Sequence, residues 1–228
     1  MRPVSLEILE DRTPGSASDE GFLTVRRLRL RHLYDDGSAS PAYSCDVVSR
    51  PGTDAVAVVL WFRGAGGRPQ VVLKEGVRPP VWLRRQKDLV QADPEAPLML
   101  VELVAGILEP GDEGPDGLRR RGAAEAREEA GVVVPLAALA PLGGPSYPTP
   151  GAADERVEFL VAELAGPPPA GPLPPGDGSA MEHGTRVLVL DLEEAIQRCR
   201  DGRFPDMKTE IGLTRLAATF GAQDDHRS

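Results

Sequence analysis

The hydrophobic positions of this chain come in short runs, each closed by a glycine or proline turn. Ala55 to Phe62 is apolar throughout and rich in β-branched residues, which predicts a strand buried on both faces. Gly64 to Arg68 is a turn, and Val71-Val72-Leu73 opens a partner strand. Leu98 to Ala105 predicts a further strand, interrupted by Glu102, and Val157 to Ala162 another. Thr185 to Leu192 alternates around Val187 and Val189 and predicts a strand as well. Helical spacing takes over after Pro115 and stops at Gly131. It returns from Glu193 to Arg200, with Ala195, Ile196 and Cys199 on one side, and from Glu210 to Phe220.

Ahead of this block, Phe22 to Tyr34 sets Leu23, Val25, Leu28, Leu30 and Leu33 among arginines. Asp35 to Ser38 is a turn, and Ala42 to Val48 predicts a return strand. Residues 1–20 show no period and predict an irregular N-terminus; 21–52 form a β-hairpin arm, 53–221 the main domain and 222–228 a polar tail. Residues 165–180, rich in Gly and Pro, predict a long mobile loop. The fold class is α/β (α+β), a mixed sheet sandwiched between helices.

Charge narrows the functional classes. The chain has 228 residues, and 26 Lys+Arg against 35 Asp+Glu leave a net charge of −9. A protein of that sign is ill suited to nonspecific nucleic-acid binding, which needs clustered cations for phosphates. No apolar run reaches the roughly 18 residues of a membrane span, and Met1 to Glu10 has no apolar core of a signal peptide. The cytoplasm is the expected compartment. Cys45 and Cys199 have neither the number of a disulfide framework nor the spacing of a zinc site.

The candidate chemistry sits at 105–132. Glu125, Glu128 and Glu129 fall within about one helical turn, on one face. Like charges so placed repel one another. A divalent cation removes the repulsion, and hard carboxylate oxygens suit Mg²⁺ or Mn²⁺. Ala123, Ala126 and Ala130 form a neighbouring stripe of small residues that allows close approach to a sheet.

This stretch resembles the Nudix box of the Nudix hydrolases. Gly106 opens the pattern, and Glu125-Ala126-Arg127-Glu128-Glu129-Ala130-Gly131-Val132 closes it. Two features depart from it. Ala124 stands at the box arginine. The first acidic position is Asp112 (or Glu113), and eleven residues separate Asp112 from Ala124 where the pattern has seven. Other segments resemble the ADP-ribose pyrophosphatase and nucleoside-diphosphate-sugar branch. These are Lys74-Glu75-Gly76-Val77-Arg78-Pro79-Pro80, Glu102-Leu103-Val104-Ala105-Gly106, Pro148-Thr149-Pro150-Gly151 followed by Asp154-Glu155-Arg156, and Asp206-Met207-Lys208-Thr209.

The resemblance implies a Nudix fold and Mg²⁺-dependent hydrolysis of the diphosphate of a nucleoside diphosphate sugar. ADP-ribose comes first and UDP-glucose close behind. It implies metal ligation by the Ala105 carbonyl, Glu125, Glu128 and Glu129, and substrate contacts from Arg78, Glu102 and Glu155. A general base maps to Glu182, with His183 as rival. Arg121, one turn before Glu125, is the candidate to replace the missing box arginine, and the extra residues either lengthen the helix or bulge the loop. The resemblance implies that the N-terminal arm pairs two subunits in a homodimer; on the residues alone it is two further strands of the sheet. The missing arginine leaves a second reading open, a nucleotide-binding module of weak or no turnover. Trp82, in the inserted segment 81–97, is either a platform for a base or a loop-packing residue.

Overall fold

The computed structural model describes residues 3–11, 22–170 and 185–224. The chain divides into two compact units, one of residues 1–54 with 147–156 and one of 55–146 with 157–228.

The first unit is a three-stranded antiparallel sheet in the order β1-β2-β3, with β1 Pro3–Asp11, β2 Thr24–Tyr34 and β3 Tyr43–Ser49. The hairpin of β2 and β3 lies where the pattern places it. β1 does not: the irregular N-terminus expected from residues 1–20 holds a strand over 3–11 that pairs along β2. The signal was present in the alternation of Val4, Leu6 and Ile8 with Ser5 and Glu7, masked by the unpatterned residues that follow. Among the described side chains of this unit, Leu28 and Leu30 are buried. The segment carrying Pro148 to Gly151 belongs to this unit. The Val48 amide donates to Ala152 O at 2.8 Å, and Arg50 pairs with Glu155 at 2.7 Å.

The second unit is a mixed seven-stranded sheet between helices. Its strands are β4 Ala55–Arg63, β5 Pro69–Val77, β6 Met99–Glu102, β7 Val104–Ile107, β8 Ala140–Pro141, β9 Val157–Glu163 and β10 Arg186–Asp191. The main path runs β10-β5-β4-β9-β8, with β9 parallel to β4. After β5, a four-residue helix α1 (Pro79–Trp82) and a 3₁₀ turn (Leu83–Gln86) lead toward β6. The long helices are α2 (Gly114–Ala130), α3 (Leu192–Arg200) and α4 (Met207–Asp224).

β4 shows why it is apolar throughout. Ala55, Ala57, Val59 and Trp61 pack into one core with residues of α3 and α4, while Val56, Val58, Leu60 and Phe62 pack into another with Ala126 and Ala130 of α2. Both faces of the strand are covered, so alternation would leave polar groups in a core.

The strand expected over Leu98 to Ala105 is two strands. β4 and β5 pair with each other only over Leu60–Arg63 and Pro69–Val72. Beyond that β6 pairs with β5 over Lys74–Val77, and β7 pairs with β4 over Ala55–Val58. Neighbouring residues therefore serve different partners: Glu102 lies opposite Lys74, and Ala105 opposite Ala57. Periodicity within one run carries no information about a change of partner.

Candidate functional site

Helix α2 brings its carboxylates to the strand that precedes it. Gly114 and Pro115 start it, consistent with proline's tolerance in a first turn. Gly131 ends it in the left-handed conformation at φ 67°. The Gly131 amide donates to Arg127 O and the Val132 amide to Ala126 O, both at 3.0 Å, closing the helix end. Of the residues between Asp112 and Ala124, Glu113 precedes the helix and the rest lie within it.

Ala126 and Ala130 are fully covered by the sheet. That close approach sinks Glu129, at 8% exposure, beneath the helix. Its Oε2 accepts the Ala105 amide at 2.9 Å, and its Oε1 accepts the ammonium of Lys74, itself 7% exposed. Glu125 stands one turn earlier against Gly106, and a Cβ at Gly106 would overlap its carboxyl group. Burial, then the charges of Glu129 and Glu128, push the Glu125 carboxyl up to about 7. Glu128 is half-buried, 4.0 Å from Arg127.

Arg121 closes the loop ahead of the helix. Its Nε donates to Asp112 Oδ2 at 2.8 Å and its Nη2 to Glu109 Oε2 at 2.6 Å. Nη1 lies 3.8 Å from Glu125 Oε1, an ion pair without a hydrogen bond. The Glu109 amide also donates to Asp112 Oδ2, at 3.0 Å. For Asp112, burial alone would raise the carboxyl. The Glu109 amide and Arg121 outweigh it and hold the group below its ordinary value. Asp112 is thus engaged with the loop and Arg121. Arg121 reaches Glu125 while spending its hydrogen bonds on the loop.

A second charged cluster surrounds Glu102, 3% exposed on β6. Arg78 Nε donates to its Oε2 at 2.6 Å, and Lys208 Nζ to its Oε1 at 2.5 Å. Lys208 also pairs with Asp206 at 3.0 Å. Asp206 Oδ2 accepts the Thr209 amide at 3.0 Å, the cap expected at this helix start. Thr209 Oγ1 in turn accepts the Leu103 amide at 2.9 Å, tying α4 to the break between β6 and β7. Burial would raise the Glu102 carboxyl, but the Lys208 and Arg78 charges outweigh it and hold the group below its ordinary value.

The candidate residues thus divide as follows. Ala105, Arg121, Glu125, Glu128 and Glu129 meet around α2 and β7, and Arg78 and Glu102 meet at the end of β5 and β6. Glu155 belongs to the other unit, paired with Arg50. Glu182 and His183, and most of the expected loop at 165–180, lie outside the described residues. Trp82 is half-buried in α1. Lys74 was not singled out from the sequence. Its signal was a lysine two positions after Val72, on a face otherwise given to the α2 core.

The donors around α2 suit a divalent ion in chemistry. Crowded carboxylates with one raised to about 7 gain from a cation, and Gly106 gives Glu125 room at the strand. Among the described residues no three acidic, histidine or cysteine side chains converge as a ready cage. Glu129 is turned to Lys74 and the Ala105 amide.

No family model matches the chain. The ADP-ribose pyrophosphatases of Escherichia coli (strain K12) and of Shigella flexneri are each 29% identical to it over 202 residues, covering 86% of this chain and 82% of theirs. A solved structure described as an ADP compounds hydrolase matches with a TM-score of 0.59 at 17% identity, over 98% of this chain and 96% of that one. The mixed α/β fold is shared with that structure.

Proposed function

We propose that this chain is a Nudix-type hydrolase that cleaves the diphosphate of ADP-ribose to a nucleoside monophosphate and a sugar phosphate. The observation that carries the reading is the packing of Glu125 and Glu129 on α2 against Gly106 and Ala105 of β7, with Glu128 alongside. The similarity to curated ADP-ribose pyrophosphatases supports the substrate class. UDP-glucose is the next substrate to assay.

The Ala105 carbonyl, Glu125, Glu128 and Glu129 would hold Mg²⁺ or Mn²⁺. A bound ion would supply charge neutralisation on the diphosphate and acidify a water. The protein's part is then to orient and to move protons. Gly106 admits Glu125 to the strand, and the Ala105 amide fixes one Glu129 oxygen. Arg121 holds the loop at Asp112 and Glu109, and stands in for the arginine absent at Ala124. Arg78, presented by Glu102, binds the diphosphate, and Glu155 supports the substrate. Glu182 takes the proton from the attacking water, with His183 as the rival. The three-stranded arm joins two copies in a homodimer. Free Cys45 and Cys199 fit a reducing compartment such as the cytoplasm. Among the described residues no helix is long and apolar enough to cross a membrane.

A second reading rests on Ala124. Without the box arginine, a binding module of weak turnover would keep the same fold. Release of nucleoside monophosphate from ADP-ribose and UDP-glucose, with Mg²⁺ and then with EDTA, separates the two. Turnover that EDTA abolishes supports the enzyme; binding of ADP-ribose without any turnover supports the module.

A further inference from the structure

We propose that Lys74 is an internal counter-cation that competes with the divalent ion for Glu129, so that loading an ion onto Glu129 requires the ammonium to withdraw. The inference rests on the metal-dependent reading above and specifies how this chain controls its own ion site.

β5 places Lys74 there by simple alternation. Val72 belongs to the core shared with Ala126 and Ala130 of α2, and Lys74 is the next residue on that face. Its ammonium therefore ends under α2, where apolar neighbours give way to Glu129. A lysine this deep is tolerated only if its charge is paired. The partner is Glu129, whose two oxygens are both taken: Oε1 by Lys74 and Oε2 by the Ala105 amide. The amide belongs to the β7 backbone, which is held to β4 by its ladder, and stays in place. The ammonium ends a flexible stem and is the mobile member of the pair.

Ion and ammonium cannot share Oε1 at low cost, since both are cations and the site is shielded from water. One must leave. The ammonium on Oε1 thus does for Glu129 part of what a divalent ion would do. Arg121 is committed elsewhere, with hydrogen bonds to Asp112 and Glu109 and an ion pair with Glu125.

The test is Mn²⁺ affinity of the stripped chain, measured by titration calorimetry, which does not depend on turnover. Lys74→Met leaves Glu129 free for the ion and is expected to bind Mn²⁺ about tenfold more tightly than wild type, whereas Lys74→Arg, which keeps the charge, stays near wild type. Affinity unchanged or weakened in Lys74→Met overturns the proposal. If Lys74→Met does not fold, the wild-type chain supplies the answer by ¹⁵N-edited NMR of its lysine ammonium groups. Saturating Mg²⁺ is expected to shift the Lys74 resonance, and a resonance left in place overturns the proposal. Wild type that hydrolyses ADP-ribose with Mn²⁺ while Lys74→Met binds the ion no better sinks this inference alone. Wild type that binds no divalent ion sinks both it and the functional reading.

Discussion

Glu125 reaches β7 because residue 106 has no side chain: its carboxyl group occupies the space into which a Cβ at Gly106 would project. A helix carboxylate and a strand backbone are thereby brought together by the absence of one carbon. Gly106→Ala is expected to push Glu125 out of this position and lower kcat/KM for ADP-ribose by about 10²-fold, the scale of a catalytic group displaced by an ångström. The far-ultraviolet circular dichroism should stay that of wild type. Retained activity would show that the Glu125 position is not needed.

The raised Glu125 carboxyl makes stability depend on pH in the stripped chain. Its folded value is about 7 against an ordinary 4.5, so between those values the native chain holds a proton that the unfolded chain has released. Stability is then highest near and below pH 4.5 on this group's account and falls as pH rises, with the loss complete above 7. The total is ~3 kcal/mol. Melting temperatures in EDTA from pH 5 to 8 should show the fall, Glu125→Gln should flatten it, and Mn²⁺ should reverse it.

Arg121→Ala removes the partner of Asp112 and Glu109 and the nearest cation to Glu125 on α2. Loss of a charged hydrogen-bonding partner for half-buried Asp112 is expected to cost about 1–3 kcal/mol in urea unfolding. If Arg121 stands in for the box arginine, kcat falls as well. A stability loss with kcat unchanged would assign Arg121 to the loop alone.

Glu102 joins Arg78 to Lys208 in a nearly water-free position. Glu102→Ala removes the partner of Arg78 and leaves Lys208 with Asp206 alone, and is expected to destabilise the fold by about 1–3 kcal/mol. Arg78→Ala leaves Glu102 paired with Lys208, so its effect should fall on KM for ADP-ribose more than on the melting temperature. Equal effects on both would place Arg78 in the scaffold only.

Local pattern carried much of this protein. The uninterrupted apolar run at 55–62 announced a strand covered on both sides, and the small residues Ala126 and Ala130 announced the buried face of α2. The spacing of Glu125, Glu128 and Glu129 announced a crowded acidic face, and Asp206 announced its cap. These follow from one element's own period, which is written in consecutive residues. What the tertiary structure decided involves pairs far apart in the chain. β5 parts from β4 to admit β6 and β7, which splits an apparently continuous strand at Leu103. Lys74 meets Glu129, and Lys208 meets Glu102, across sequence separations of 55 and 106 residues. No periodicity encodes which buried cation will face which buried carboxylate. That choice is made by packing, when α2 settles on the sheet and each desolvated charge must find its partner.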